Sequence, residues 1–255
     1  MYSGSIMSNI DVAQVVLYAF WVFFALLILY LRREDKREGY PLVERGGAPE
    51  QDGVTPLPGP KFFWLPDNRT LSSNRPDTRA LNAEPSNPWP GAPLQPVGNP
   101  LLAGVGPGAF ADRADLPDLT AGGLPRIVPL REDASFHVEQ RDADPRGMTV
   151  LGADGAVAGV VRDLWVDRSE SVIRYIEVEL SPDVGAGVAL APMGLVRING
   201  WLRTAKVDAI LARQFAGAPT PRHPGQITLL EEERIFGYFG AGKLYATPAR
   251  AEPMI

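Results

Sequence analysis

The stretch that decides the architecture is VAQVVLYAFWVFFALLILYL, Val12 to Leu31. Its 20 residues carry no charge and one strongly polar side chain, Gln14. At about 1.5 Å per residue a helix of this length covers about 30 Å, the thickness of a bilayer's hydrocarbon core. A cleaved leader would have an apolar centre of about 7–15 residues, basic residues ahead of it and a small-residue site behind it. Here no Lys or Arg precedes Arg32, and RREDKRE follows the run. Tyr18, Trp21 and Tyr30 suit a bilayer better than a globular core. Asp11 stands just ahead of the run as an N-cap. The sequence therefore predicts one transmembrane helix over 12–31. Trp21 and Phe24 fall near one face, with Phe20 and Phe23 as a neighbouring stripe; one stripe should meet partner helices and the other lipid.

The flanks give the orientation. Arg32, Arg33, Lys36 and Arg37 follow the span and no basic residue precedes it. The positive-inside bias places residues 1–11 outside and everything from Arg32 onward in the cytoplasm. Glu34, Asp35 and Glu38 interleave with these bases, which suggests ion pairing along a continuing helix or with a partner. The chain's net charge of −5 becomes 25 − 29 = −4 beyond the span, because Asp11 is the one charged residue before Arg32. Only the juxtamembrane cluster should attract anionic lipid, and nucleic-acid binding is disfavoured.

Between Pro41 and Pro129 lie 17 of the 25 prolines. Long helices and central strands are not expected there. Yet Phe62, Phe63, Trp64, Leu65, Trp89 and Phe110 are interspersed, unlike a disordered linker. The stretch reads as extended chain ordered by another surface, either the C-terminal domain or a partner.

From about Arg126 short strands take over. MTVLGADGAVAGVVRDLWVD holds two apolar runs split by Ala153-Asp154-Gly155, a hairpin signal. RYIEVEL alternates, with Ile176, Val178 and Leu180 on one face and Glu177 and Glu179 on the other. VALAPM, LVRING and WLRTAKVD add strands, with a turn at Asn199-Gly200. Closely spaced antiparallel strands suggest a small barrel. VDAILARQF reads as a short helix ending at Gly217, and EEERIFGYFG as another. The fold class is thus a single transmembrane α-helix plus a mainly β cytoplasmic domain, with short helices and a Pro-rich extended segment. The expected divisions are 1–11, 12–31, 32–129, 130–246 and a tail, 247–255.

The chemistry is defined largely by exclusion. Cysteine is absent and only two histidines exist, His137 and His223. Thiolate metal sites, a cysteine nucleophile and a His-based metal pair are not available. No hydrolase, dinucleotide, Walker or zincin motif occurs, and the Gly-rich AGVGPGA and TAGGLP sit among prolines as loops. The densest ionisable group is Asp163, Asp167, Arg168, Glu170, Arg174, Glu177 and Glu179. Spacing alone favours a solvated barrel face; the sharper reading is a proton relay among neighbouring carboxylates. Asp167 and Glu170 are three apart in a turn-like DRSE, and Arg174 follows by four and can hold them ionised.

Several strings resemble one family in its own order. They are YLRREDKREGYPL, VGPGAFADRADLPDL, RIVPL, DPRGMTV, DLWVD, RYIEVEL and TLLEEE…GYFGAGKLYA. Together they are similar to the H subunit of the purple-bacterial photosynthetic reaction centre, whose C-terminal part has the PRC-barrel fold. The resemblance reaches from the N-terminal helix to about Ala246. It implies a subunit without pigments of its own, in the bacterial inner (intracytoplasmic) membrane, capping the cytoplasmic face of the L and M subunits. Those partners hold bacteriochlorophyll, bacteriopheophytin, two quinones and a non-haem iron; an antenna, a cytochrome subunit and membrane lipids are further expected neighbours. It also implies a non-enzymatic part in proton delivery to the secondary quinone. The matching positions are Asp167, Glu170, Arg174 and Asp118, with Arg126 nearby. Some relatives carry two histidines at the point of proton uptake, where this chain has Gly122 and Leu124. Trp21, Arg32, Arg33, Arg37 and Tyr40 are the expected membrane or partner contacts. The runner-up is a membrane-anchored PRC-barrel adaptor for another protein or RNA; a membrane-tethered enzyme is third.

Overall fold

The computed structural model describes residues 5–7, 10–42, 56–65, 68–73, 78–89 and 91–251. Parts of three expected segments lie outside the described residues: 1–4 and 8–9 of the N-terminal segment, 43–55, 66–67, 74–77 and 90 of the Pro-rich stretch, and 252–255 of the tail. The chain divides into two compact units, 1–78 with 87–92, and 79–86 with 93–255.

In the first unit β1 (Ser5–Met7) pairs antiparallel with β2 (Ile10–Asp11). The apolar run forms α1, Val12–Glu34. Asp11 caps it: its carboxylate accepts from the Gln14 N–H at 2.9 Å, and the Gln14 side chain accepts from the Asp11 N–H at 3.4 Å. The one polar residue of the run thus completes a capping box. The helix continues past Leu31 to Glu34, and a 3₁₀ turn follows over Asp35–Arg37. Arg37 brackets Glu34 with donors at 2.8 and 3.0 Å. No residue of α1 is buried. An apolar helix left uncovered by its own chain needs lipid or partner helices around it. Phe24 stacks on Phe20 at 5.9 Å and meets Trp21 edge-on at 6.0 Å, so it joins the two stripes that spacing separates. Further on, β3 (Phe62–Trp64) and β4 (Thr70–Ser72) form a small antiparallel hairpin.

The second unit begins with another small pair, β5 (Ala83–Pro85) and β6 (Leu94–Pro96). The main sheet has seven strands: β7 (Ile127–Pro129), β8 (Thr149–Leu151), β9 (Val157–Asp167), β10 (Val172–Leu180), β11 (Val188–Pro192), β12 (Val196–Asn199) and β13 (Thr204–Val207). Their order is β11-β10-β9-β8-β13-β12. The long strand β9 takes β10 along one edge, and β8 and β7 at opposite ends of the other. The β8–β9 hairpin turns at Ala153-Asp154-Gly155 as its sequence predicts. One pairing departs from the antiparallel expectation: β13 runs parallel to β8. The 3₁₀ turn Met193–Leu195 carries β11 into β12 without a hairpin, so one reversal is missing.

The core gathers Met148, Trp165, Tyr175, Phe215, Ile235 and Phe239, all fully enclosed. The expected helix at VDAILARQF is shorter than read: Val207 closes β13, residues 208–210 bend, and only a 3₁₀ helix, Ala212–Gly217, remains. The last helix, α2, is longer than read and spans Leu229–Tyr245, with Thr228 and Glu231 forming its capping box. The 3₁₀ turn Gly106–Gly108 lies directly on α2. A Cβ at Gly237 would stand 2.8 Å from the Gly108 carbonyl oxygen, and one at Gly240 2.5 Å from that of Pro107. Backbone meets backbone here, and the later part of the Pro-rich stretch is ordered by the chain's own C-terminal domain.

Candidate functional site

Asp167 ends β9, and the chain turns through residues 168–171 into β10. The Asp167 carboxylate organises that turn by accepting from the N–H groups of Ser169 at 2.9 Å and Glu170 at 3.1 Å. Ser171 takes a positive φ of 55°, which completes the reversal. Across the sheet, Ile127 of β7 stands opposite Asp167, and the Arg168 N–H bonds the Arg126 carbonyl at 2.9 Å. This pairing delivers the Arg126 side chain to the turn. The Arg126 N–H in turn bonds the Asp118 carbonyl at 2.8 Å, closing a loop whose tip carries Gly122 and Leu124.

The five residues named from sequence meet at one point. Arg126 donates through Nε to both oxygens of Asp167 at 3.0 Å, through Nη1 to Asp118 at 3.1 Å and through Nη2 to Glu170 at 2.5 Å. Arg174 donates to Asp167 at 3.2 and 3.0 Å and to Glu170 at 3.3 Å. The Asp167 side chain has no exposed surface, whereas those of Asp118 and Glu170 are 40% and 53% exposed. The cluster therefore runs from water to a buried carboxylate. Burial pushes the Asp167 pKa up, but the Arg126 bonds, the two turn N–H groups and Arg174 outweigh it and hold the carboxyl below its ordinary range.

A cleft of about 250 Å³ opens beside this cluster, lined also by Arg113, Phe236, Glu232 and Glu233. Glu232, from the first turn of α2, accepts a hydrogen bond from the buried Tyr175 hydroxyl at 3.1 Å. Burial raises the Glu232 pKa, against the lowering effects of the Tyr175 bond and the Arg174 and Arg113 charges. Sequence reading missed Glu232 and Tyr175. The signal available was the acidic run Glu231-Glu232-Glu233, but acids in a helix's first turn already have a local reason.

A second buried pair lies further back on the same strands. Asp163 of β9 stands opposite Glu177 of β10, and Arg131 Nη1 donates to both, at 2.8 and 3.0 Å. The Trp165 indole N–H adds a bond to Glu177 at 2.8 Å, and Arg162 lies 3.5 Å away. Asp163, Asp167 and Glu177 are all buried, so the expectation of a solvated face fails for these three. The outward polar face read for Glu177 is likewise corrected: Arg131, Arg162 and Trp165 cover it. Glu179 is exposed as read, and His137 and His223 are exposed loop residues. Among the described residues no group of three or more His, Asp or Glu side chains could hold a metal ion.

Trp21, Arg32 and Arg33 are exposed on α1, Arg37 is engaged with Glu34, and Lys36 lies over the Tyr40 ring at 5.8 Å.

Two family models match the chain. The photosynthetic reaction centre H-chain N-terminal region matches residues 4–132, and the PRC-barrel domain matches residues 137–212. The first covers half of the chain, including α1 and the strap that supplies Asp118 and Arg126; the second covers β8 to β13 with Asp167, Glu170 and Arg174. The chain belongs to the photosynthetic reaction centre H-chain family and is a membrane-anchored reaction-centre subunit with a PRC-barrel domain.

Proposed function

We propose that this subunit caps the L and M subunits on the cytoplasmic side and helps conduct protons to the secondary quinone that they hold. The observation that carries the reading is the arginine-bridged cluster leading from exposed Glu170 and Asp118 to buried Asp167, beside a cleft that also holds Glu232. A quinone reduced twice needs two protons, and negative charge in a low-dielectric site is costly until protons arrive. A domain covering that site must also admit protons.

The roles divide by environment. Asp167 is held ionised between two guanidinium groups, so it serves as a fixed anion that orients Arg126 and Arg174. Glu232, whose pKa burial raises above the ordinary carboxylate range, is the group suited to take and release a proton. Glu170 and Asp118 collect protons from bulk water. With Gly122 and Leu124 at the loop tip, uptake falls to these carboxylates. Membrane residence over 12–31, a periplasmic N-terminus, an intracytoplasmic membrane location and partner contacts by Trp21, Arg32, Arg33, Arg37 and Tyr40 belong to the same reading, as do barrel limits near 130–246.

The test is flash-induced electron transfer in the assembled complex. The double change Asp167→Asn with Glu170→Gln should slow the second, proton-coupled transfer to the secondary quinone and leave primary charge separation unaltered. An unchanged second transfer across neutral and mildly alkaline pH would remove the cluster from proton delivery.

A further inference from the structure

The β3–β4 hairpin has no core. Phe62 and Trp64 are 63% and 81% exposed, and Phe63 and Leu71 are exposed as well. In its register Phe63 stands opposite Leu71, while Phe62 and Trp64 stand opposite Ser72 and Thr70. Directly opposed residues share a face and neighbours along a strand alternate. Apolar side chains therefore project from both faces of the hairpin. An isolated two-stranded hairpin is marginal in water, and one with aromatic groups on both faces needs surroundings that cover both.

Its position says what those surroundings are. Lys61, the residue before β3, is ion-paired with Glu34, the last residue of α1. Arg37 Nη1 donates to the Gly59 carbonyl at 2.8 Å, a second tie between the helix foot and the approach to the hairpin. Glu34 lies three residues beyond Leu31, about 4.5 Å along the axis at 1.5 Å per residue. The headgroup layer outside the hydrocarbon core is roughly 5–7 Å thick per leaflet. Given that α1 spans the membrane, the Glu34–Lys61 pair lies within that layer. Phe62 is the next residue, and Trp64 is within about 10 Å at 3.3 Å per residue.

We propose that this hairpin is a second membrane contact of the subunit, with Phe62, Phe63 and Trp64 in the headgroup–acyl boundary of the leaflet where α1 ends. That boundary is where amphipathic aromatic rings concentrate. It surrounds a hairpin and so covers both faces, whereas the surface of a partner protein covers one. The ion pair and the Arg37 bond fix the depth, and the hairpin in turn restrains rotation of α1 about its axis. The inference rests on the membrane-spanning reading of α1, and its test separates the two.

The chain has no cysteine, so Thr70→Cys, which leaves all three aromatic residues in place, accepts a single fluorophore. Leu26→Cys in α1 is the companion probe. The full chain, in vesicles of phosphatidylcholine and phosphatidylglycerol carrying a nitroxide near the headgroup or deep in the acyl chain, should show strong quenching of position 70 by the shallow nitroxide. Position 26 should be quenched by the deep one. Phe62→Ala, Phe63→Ala and Trp64→Ala combined should return position 70 to the level seen in unlabelled lipid and leave position 26 quenched. Quenching at 26 without quenching at 70, or quenching at 70 that survives the triple change, overturns the hairpin contact while α1 stays in the membrane. Absence of quenching at both positions overturns the spanning reading and the hairpin contact with it. In the assembled complex, cross-linking of position 70 to a core subunit without lipid quenching would assign the surface to that partner and overturn the proposal.

Discussion

Two arginine-bridged carboxylate centres sit on the β9–β10 pair, and they differ in where their hydrogen bonds end. At Asp163 and Glu177 the two acids face each other in register and share Arg131. The remaining partners are the Trp165 indole, the Leu164 N–H, the Pro224 carbonyl that accepts from Arg131, and the Arg162 guanidinium 3.5 Å from Glu177. At Asp167 the acid is likewise buried and shared by Arg126 and Arg174. Those arginines pass on to Glu170 and Asp118, both titratable and both in water. Burial does not distinguish the two centres. What distinguishes them is whether the next partner can change its charge. The first closes on arginines and neutral groups, and the second ends on exposed carboxylates.

The comparison breaks most visibly at Arg131. Arg131→Met leaves two buried carboxylates without their bridging cation; because Arg131 is itself 37% exposed, the cost falls at the low end for a buried ionic group, about 3 kcal/mol. Denaturant unfolding of the full chain should show a loss of that size. Complexes that still assemble should keep their rate of second electron transfer. A slowed transfer would mean that the closed centre also feeds the quinone.

Asp167→Asn should cost less, about 2 kcal/mol, because each arginine keeps another carboxylate. Its signature is pH-dependent. The folded pKa of Asp167 is lowered, so its stabilisation is complete above about 3.9, the unfolded aspartate value, and is lost as pH falls through the folded value. The gap between wild type and variant should close on acidification. A gap independent of pH would show that packing, not charge, holds the turn.

Trp165→Phe sharpens the contrast by removing one neutral donor from Glu177. A hydrogen bond to a charged group is worth about 1.5 kcal/mol at the lower end, and the unfolding midpoint should fall accordingly. Glu232→Gln should have the smallest effect on stability and the opposite sign. Its folded pKa is raised, so its contribution is whole below about 4.3 and is lost as pH climbs through the folded value. A glutamine cannot ionise, so the variant should match or slightly exceed wild type above that value. In the assembled complex the same change should slow the second electron transfer. A variant that is both less stable and unaltered in transfer would place Glu232 in the closed class.

Much of this was legible from residues alone, for local reasons. The α1 span and its Asp11 cap follow from hydropathy and one side chain, as does the hairpin at Ala153-Asp154-Gly155. Gln14 reads as a blemish in an apolar run until its bond to the Asp11 N–H is seen. Glu177 was misplaced because alternation identifies two faces but not whether both are covered. Its cover comes from Arg131, 46 residues away in sequence, and from Trp165 across the strand pair. The parallel β8–β13 pairing depends on a turn that fails to reverse the chain, which no strand pattern reports. Arg126 and Asp118 were named through family resemblance; spacing gives no reason to set them beside Asp167, and the β7–β9 pairing supplies it.

The backbone contact between the 106–108 turn and α2 sets a limit on what assembly can adjust. With carbonyl groups of Gly108 and Pro107 against Gly237 and Gly240, and the Ala241 methyl and Tyr245 ring beside them, the helix meets the turn at close backbone contact and resists sliding or rotation. Glu232 rides on the same rigid rod, and Tyr175 on the sheet beneath it. The backbone positions of the two residues are therefore set in the folded subunit. Docking can change the solvent and charge around the carboxyl without moving the helix that carries it. Its proton affinity in the complex should thus follow from the desolvation and charge that the interface adds, which makes this glutamate a gauge of what partners bring.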